Sequence, residues 1–149
     1  MLSTNIVFPS PMRVELLDEP LPEMGAQDVL LRMRVSMVSG GTEAICLRGE
    51  FDPGTNWGEY YKFPCHPGSS AVFAVERVGP AVTGVKPGDR VMRESAHRQL
   101  LVAHEDSLVR LPDDVPDESA LWLVLSLVAQ NAIRRAQIQM GDSVVVIGT

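Results

Sequence analysis

Apolar positions along this chain change texture at about residue 117. Before that point, short runs rich in valine, leucine and methionine are separated by nearly all of the prolines and most of the glycines. That is the pattern of an irregular β-domain. The runs predict strands at residues 12–17, 28–37, 71–78, 90–93, 98–103 and 108–111. A glycine pair precedes residues 42–48, which predict a short helix, and residues 50–67 read as a long loop carrying Trp57, Tyr60, Tyr61 and Phe63. A loop of that kind either carries function or covers the core from outside.

After the change, Asp117, Glu118 and Ser119 supply first-turn acids and a cap, and no Gly or Pro interrupts residues 118–137. Leu121, Val124, Leu125, Val128, Ala132, Ile133 and Ala136 recur at helical spacing, and Arg134 and Arg135 suit a helix C-terminus. One long helix is predicted. A turn at Met140, Gly141 and Asp142 leads into residues 143–147, whose continuous β-branched run suits a central strand buried on both faces. One strand makes no sheet. The expectation is therefore two parts, residues 1–116 and 117–149, with the second the entrance to a further domain.

With 149 residues and 45% apolar side chains, the chain can bury one sizeable core. A net charge of −6, a pI near 5.0 and the lack of a basic run argue against nucleic acid as a partner. Cys46 and Cys65 are too few for a disulfide framework and no signal segment opens the chain, so a cytoplasmic location is expected. The greasiest stretch, residues 120–129, falls short of a membrane span, and no membrane partner is expected.

Four stretches carry a more specific message. They are Gly40-Gly41-Thr42-Glu43; Pro67-Gly68 through Val78-Gly79-Pro80 to Val85-Lys86-Pro87-Gly88-Asp89-Arg90-Val91; Val109-Arg110-Leu111-Pro112-Asp113-Asp114-Val115; and Met140-Gly141-Asp142-Ser143-Val144-Val145-Val146-Ile147-Gly148. In this order and spacing they resemble the medium-chain dehydrogenase/reductase superfamily. The resemblance implies an α+β, mainly β fold: a GroES-like, partly open β-barrel with short helices, then a long helix and the first strand of a Rossmann domain. It also implies an NAD- or NADP-dependent oxidoreductase for an alcohol, carbonyl or enone. Gly148 would be the first glycine of the phosphate-binding loop, so this chain alone is expected to bind no cofactor.

Zinc-dependent relatives hold their metal at places that correspond here to Gly40, Ser69, Ser70 and the vicinity of Leu123, none of them a good zinc donor. No zinc is expected. Cys46, Cys65, His66, His97 and His104 are potential ligands by type, but none forms a C-x-x-C or H-x-x-x-H pattern. His97 and His104 read as surface groups. A zinc enzyme with ligands displaced to Cys65 and His66, or a non-catalytic GroES-like binding module, are the alternatives.

The resemblance assigns Thr42 the hydroxyl beside the hydride-transfer site, although Thr42 also suits a helix cap. Ser69 would donate a hydrogen bond or hold a water, or simply fill space. Glu43 matches an acidic position near the old metal site, with a basic partner that the sequence does not identify. Trp57, Tyr60, Gly40 and Ser70 are the expected substrate-pocket residues. Val38-Ser39-Gly40-Gly41-Thr42-Glu43 resembles a signature of threonine-dehydrogenase-like and bacteriochlorophyllide-dehydrogenase-like proteins, with quinone and enoyl reductases also open. The expected partners are a small-molecule substrate and, through the apolar residues 144–147, further copies of the chain.

Overall fold

Residues 29–31 and 71–73 are apolar at successive positions, a pattern satisfied by strands covered on both faces. In the computed structural model, which describes residues 1–52, 54–55, 58–59 and 61–147, these runs lie in neighbouring inner strands of a five-stranded antiparallel sheet. The sheet comprises β3 (Asp28–Met37), β4 (Ser70–Val78), β5 (Arg90–Arg93), β6 (Leu100–His104) and β7 (Val109–Arg110), in the order β6-β3-β4-β5-β7. Val29, Leu31, Ala71, Phe73, Val75, Val91 and Ala103 form one core cluster. Val72, Met92, Leu111, Ala120 and Leu121 form a second. β3 slips register on β4 between Leu30 and Leu31 and again between Met33 and Val35. Such bulges bend and twist a sheet. Among the described residues neither sheet closes into a barrel, in keeping with the expected open, mainly β fold.

The second sheet pairs β1 (Leu2–Val7) with β2 (Glu15–Pro20). β1 had no counterpart among the expected strands, because its inward residues include Ser3 and Asn5, both buried. They are satisfied locally: Ser3 Oγ accepts the Leu100 amide at 2.9 Å and lies 2.7 Å from Asn5 Oδ1. The expected strand at 12–17 is shifted, since Met12 sits in a turn at φ 59° and pairing begins at Glu15.

The single long helix is corrected to two, α2 (Asp117–Ala120) and α3 (Leu123–Ala136). Ser70 Oγ donates to the Leu121 carbonyl at 2.8 Å, and a short-range bond from the Trp122 amide to the Ser119 carbonyl, 3.2 Å, tightens the chain there. That tether to β4 marks the break. Beyond Leu123 and Val124 the helix leaves the core, and Leu125, Leu127, Val128 and Ile133 are exposed. Residues 143–147 form no strand, and Val144–Ile147 are exposed. A ladder needs a neighbour, and none stands beside them among the described residues. No helix of the described residues is long and apolar enough to cross a membrane.

Asp117, expected to serve the helix as a first-turn acid, also ties its start to the sheet. Its carboxylate accepts from Arg34 Nε at 2.6 Å and from Arg90 Nη1 at 2.7 Å. Burial pushes the Asp117 carboxyl up, but these guanidinium donors outweigh it and hold the group below the usual 3.8. A depressed folded value means stabilisation that is present above the unfolded value and lost as pH falls through the folded one. Asp117→Asn is therefore expected to cost about 1–2 kcal/mol at pH 7. Thermal melts should show the difference from the parent shrinking below pH 3.8; a constant difference down to pH 2 would refute the assignment.

Candidate functional site

The first turn of α1 (Gly40–Arg48) follows β3 directly, and its N-cap, Ser39, makes no side-chain cap bond. The turn is instead clamped from within. Glu43 donates its amide to the Ser39 carbonyl at 2.9 Å, and its Oε1 accepts the Ser39 amide at 2.7 Å. This satisfies an amide that a helix start leaves orphaned.

The other Glu43 oxygen, Oε2, meets His97 Nε2 at 3.0 Å, and His97 Nδ1 meets Ser36 Oγ at 2.8 Å. His97 is thus the basic partner of Glu43, and its expected surface position is corrected: its side chain is 7% exposed and that of Glu43 11%. Strand β6 begins only at Leu100. The preceding segment folds inward, with the His97 amide on the Pro67 carbonyl at 2.8 Å and its carbonyl accepting the Ile6 amide at 3.0 Å. His104 is exposed, as expected.

Thr42, one residue before Glu43, lines a cleft of about 210 Å³ with Ile45, Glu50, Phe51, Asp52 and Thr55. Its hydroxyl has no hydrogen-bond partner among the described residues, so it does not cap the helix. Gly40 is exposed, with open space where a Cβ would stand. Ser69 is half-buried in front of β4 and its hydroxyl likewise has no partner among the described residues. Ser70 is fully buried on its bond to Leu121. Trp57, Tyr60 and Gly148 lie outside the described residues.

Phe51, Tyr61 and Phe63 pack around Phe8, Cys46 and Cys65, with the Phe51 and Tyr61 rings stacked at 5.8 Å. These loop aromatics cover the core. Burial pushes the Cys46 thiol up to about 11, and it raises Cys65 as well. Thiols so held are neutral near pH 7. His66 is engaged by Glu19 at 3.0 Å, and the hydrogen bond from Asn5 holds the Glu19 carboxyl low. Among the described residues no group of three or more His, Cys, Asp or Glu is placed to hold a metal ion.

The profile of the "Alcohol dehydrogenase GroES-like domain" matches residues 25–113. An alcohol dehydrogenase of Cupriavidus necator is 34% identical over 86 residues, 58% of this chain and 21% of that enzyme. Human mitochondrial enoyl-[acyl-carrier-protein] reductase is 30% identical over 138 residues, 89% of this chain and 35% of that enzyme. The quinone oxidoreductase of Coxiella burnetii superposes with a TM-score of 0.75 at 20% identity, over 95% of this chain and 47% of that one. The chain thus spans less than half the length of each of these three proteins.

Proposed function

The chain belongs to the alcohol dehydrogenase GroES-like domain family, and on that footing we propose that it is the catalytic-domain portion of a zinc-independent, NAD- or NADP-dependent oxidoreductase acting on an alcohol, carbonyl or enone. The observation that carries this reading is the Thr42 hydroxyl, without a partner among the described residues, at a cleft and borne on a turn clamped by Glu43. The zinc donor set does not fit. Glycine offers no side chain, leucine no lone pair, and the hydroxyls of Ser69 and Ser70 stay protonated near neutral pH, that of Ser70 being spent on Leu121.

The nicotinamide, when bound, supplies or accepts the hydride. This chain supplies polarity and shape. Thr42 donates its O–H to the substrate oxygen, which favours the charge that develops there during reduction. Ser69 offers a second donor or holds a water. Gly40 leaves room for the substrate, and Ser70, assigned to the pocket by the family resemblance, is held on the Leu121 carbonyl. By the family resemblance, Trp57 and Tyr60 are assigned to substrate contact and Gly148 to the cofactor pyrophosphate, with the division between the parts at residue 116.

The test is oxidation of NADH and NADPH by the full-length protein with 1,4-naphthoquinone, 2-hexenal and hexanal as acceptors, alongside elemental analysis of untagged protein. Turnover that survives chelator, with well under one zinc per chain, is expected. Stoichiometric zinc that is lost on substituting Cys65 or His66 would overturn the zinc-independent assignment.

A further inference from the structure

The chain Ser36–His97–Glu43 joins β3, the segment before β6 and α1 across sequence separations of 61 and 54 residues. Its chemistry is asymmetric. An ionised carboxylate only accepts, so His97 Nε2 must carry the hydrogen that it gives to Glu43. A hydroxyl both donates and accepts, so Ser36 can give its hydrogen to a bare Nδ1 or receive one from a protonated Nδ1. Both contacts survive in either protonation state of the ring. A buried polar network that stays satisfied in two charge states can hold a proton without repacking.

The ring is also mechanically linked to the cleft. Glu43, gripped by His97 through Oε2, uses Oε1 to hold the Ser39 amide and so fixes the turn on which Thr42 stands. We propose that His97 is the positioning and proton-storing residue of this site: through Glu43 it holds the Thr42 turn, and it takes up and releases a proton at Nδ1 without moving that turn. The inference rests on Thr42 acting as the hydrogen-bond donor to substrate.

The other groups around the pair suit that role. Cys46 on α1, Cys65 ahead of β4 and Tyr61 in the aromatic cluster all feel the Glu43 charge, and burial raises all three, so they do not compete for the proton near pH 7. On the Ser36 side, an open groove of about 330 Å³ is lined by Ser36, His97, Arg34, Arg98 and Gln99 among others. Arg34 is committed to Asp117, and Arg98 keeps a buried Nε without a partner among the described residues.

The experiment uses the full-length protein with 15N-labelled histidine, and the spectrum lost in His97→Gln identifies the ring. In a pH series Nε2 is expected to keep its hydrogen, and any hydrogen gained or lost is expected at Nδ1. In parallel, steady-state kinetics use whichever cofactor and acceptor of the panel above turn over. His97→Gln is expected to lower kcat about tenfold or more with KM little changed, as for a displaced catalytic group, and to remove one limb of the kcat–pH profile. Ser36→Ala, which leaves the Glu43 clamp intact, should keep the fold and shift that limb. A ring that titrates by losing the Nε2 hydrogen, or a His97→Gln protein with the parent's kcat and pH profile, would overturn the proposal. If the parent turns over no acceptor with either nicotinamide, the functional reading fails, and the tautomer measurement alone decides for or against the proton-storing role.

Discussion

Gly68→Ala is expected to destabilise the protein by about 3 kcal/mol or more, a fall of roughly 10 °C in melting temperature for a domain of this size. Gly68 sits at φ 120°, a conformation that an L side chain rarely adopts, and an added Cβ would lie 2.8 Å from the His97 amide nitrogen and 2.9 Å from Ala96 Cα and the Ser95 carbonyl oxygen. All three neighbours are backbone atoms, so no rotamer change relieves the contact. The segment that must yield is the one that carries His97, whose amide is bonded to the adjoining Pro67 carbonyl. The damage should therefore reach the Glu43 clamp as well as the fold. Gly88→Ala is the control, because Gly88 also has positive φ, 92°, yet nothing stands within 4 Å of the added atom. It should show backbone strain alone, about 1 kcal/mol. Equal losses for the two variants in urea titrations would mean that the contact with residues 95–97 does not exist.

That contact also shows where sequence reasoning ran out. Strands β3 and β5 were legible to the residue because their apolar runs are long enough or sharply enough bounded to admit one reading. β1 was not, since Ser3 and Asn5 occupy the inner face and are satisfied by partners that only the fold brings near. The helix break was hidden for a related reason: helical periodicity runs unbroken across Leu121 and Trp122, and the tether is a serine 51 residues away. Residues 143–147 carry the signature of a buried strand, but a signature does not supply the neighbours with which a strand must pair.

The site was half legible. The family resemblance singled out Thr42 and Glu43, and Glu43 was expected to have a basic partner. Nothing local marked His97 as that partner, because it flanks a strand in a polar stretch, Ser95-Ala96-His97-Arg98-Gln99, that reads as surface. Its burial comes from the close approach of Gly68 and the β1 bridge at Asn5 and Arg98, both long-range. A glycine required by contact with a remote segment is visible as a glycine and silent about which segment it meets.

The largest functional loss is expected from Thr42→Val, which swaps a hydroxyl for a methyl of nearly the same size. If the Thr42 O–H stabilises charge on the substrate oxygen, kcat/KM should fall about 100-fold or more, the usual cost of deleting one such donor, equivalent to about 3 kcal/mol of transition-state stabilisation. Stability should barely change, because the side chain is half-buried and its hydroxyl has no partner to lose among the described residues. Thr42→Ser keeps the hydroxyl while dropping the methyl and should recover most of the activity, at the cost of a looser rotamer. The opposite pattern is equally well defined. A helix-capping role would make Thr42→Val cost about 1 kcal/mol of stability with little kinetic effect, and the geometry disfavours it, since the orphan Ser39 amide at this helix start is held by Glu43 Oε1. Kinetics on the full-length protein, paired with melts of the same samples, separate the two: a variant that melts early yet turns over normally would remove Thr42 from the chemistry and leave α1 a structural element.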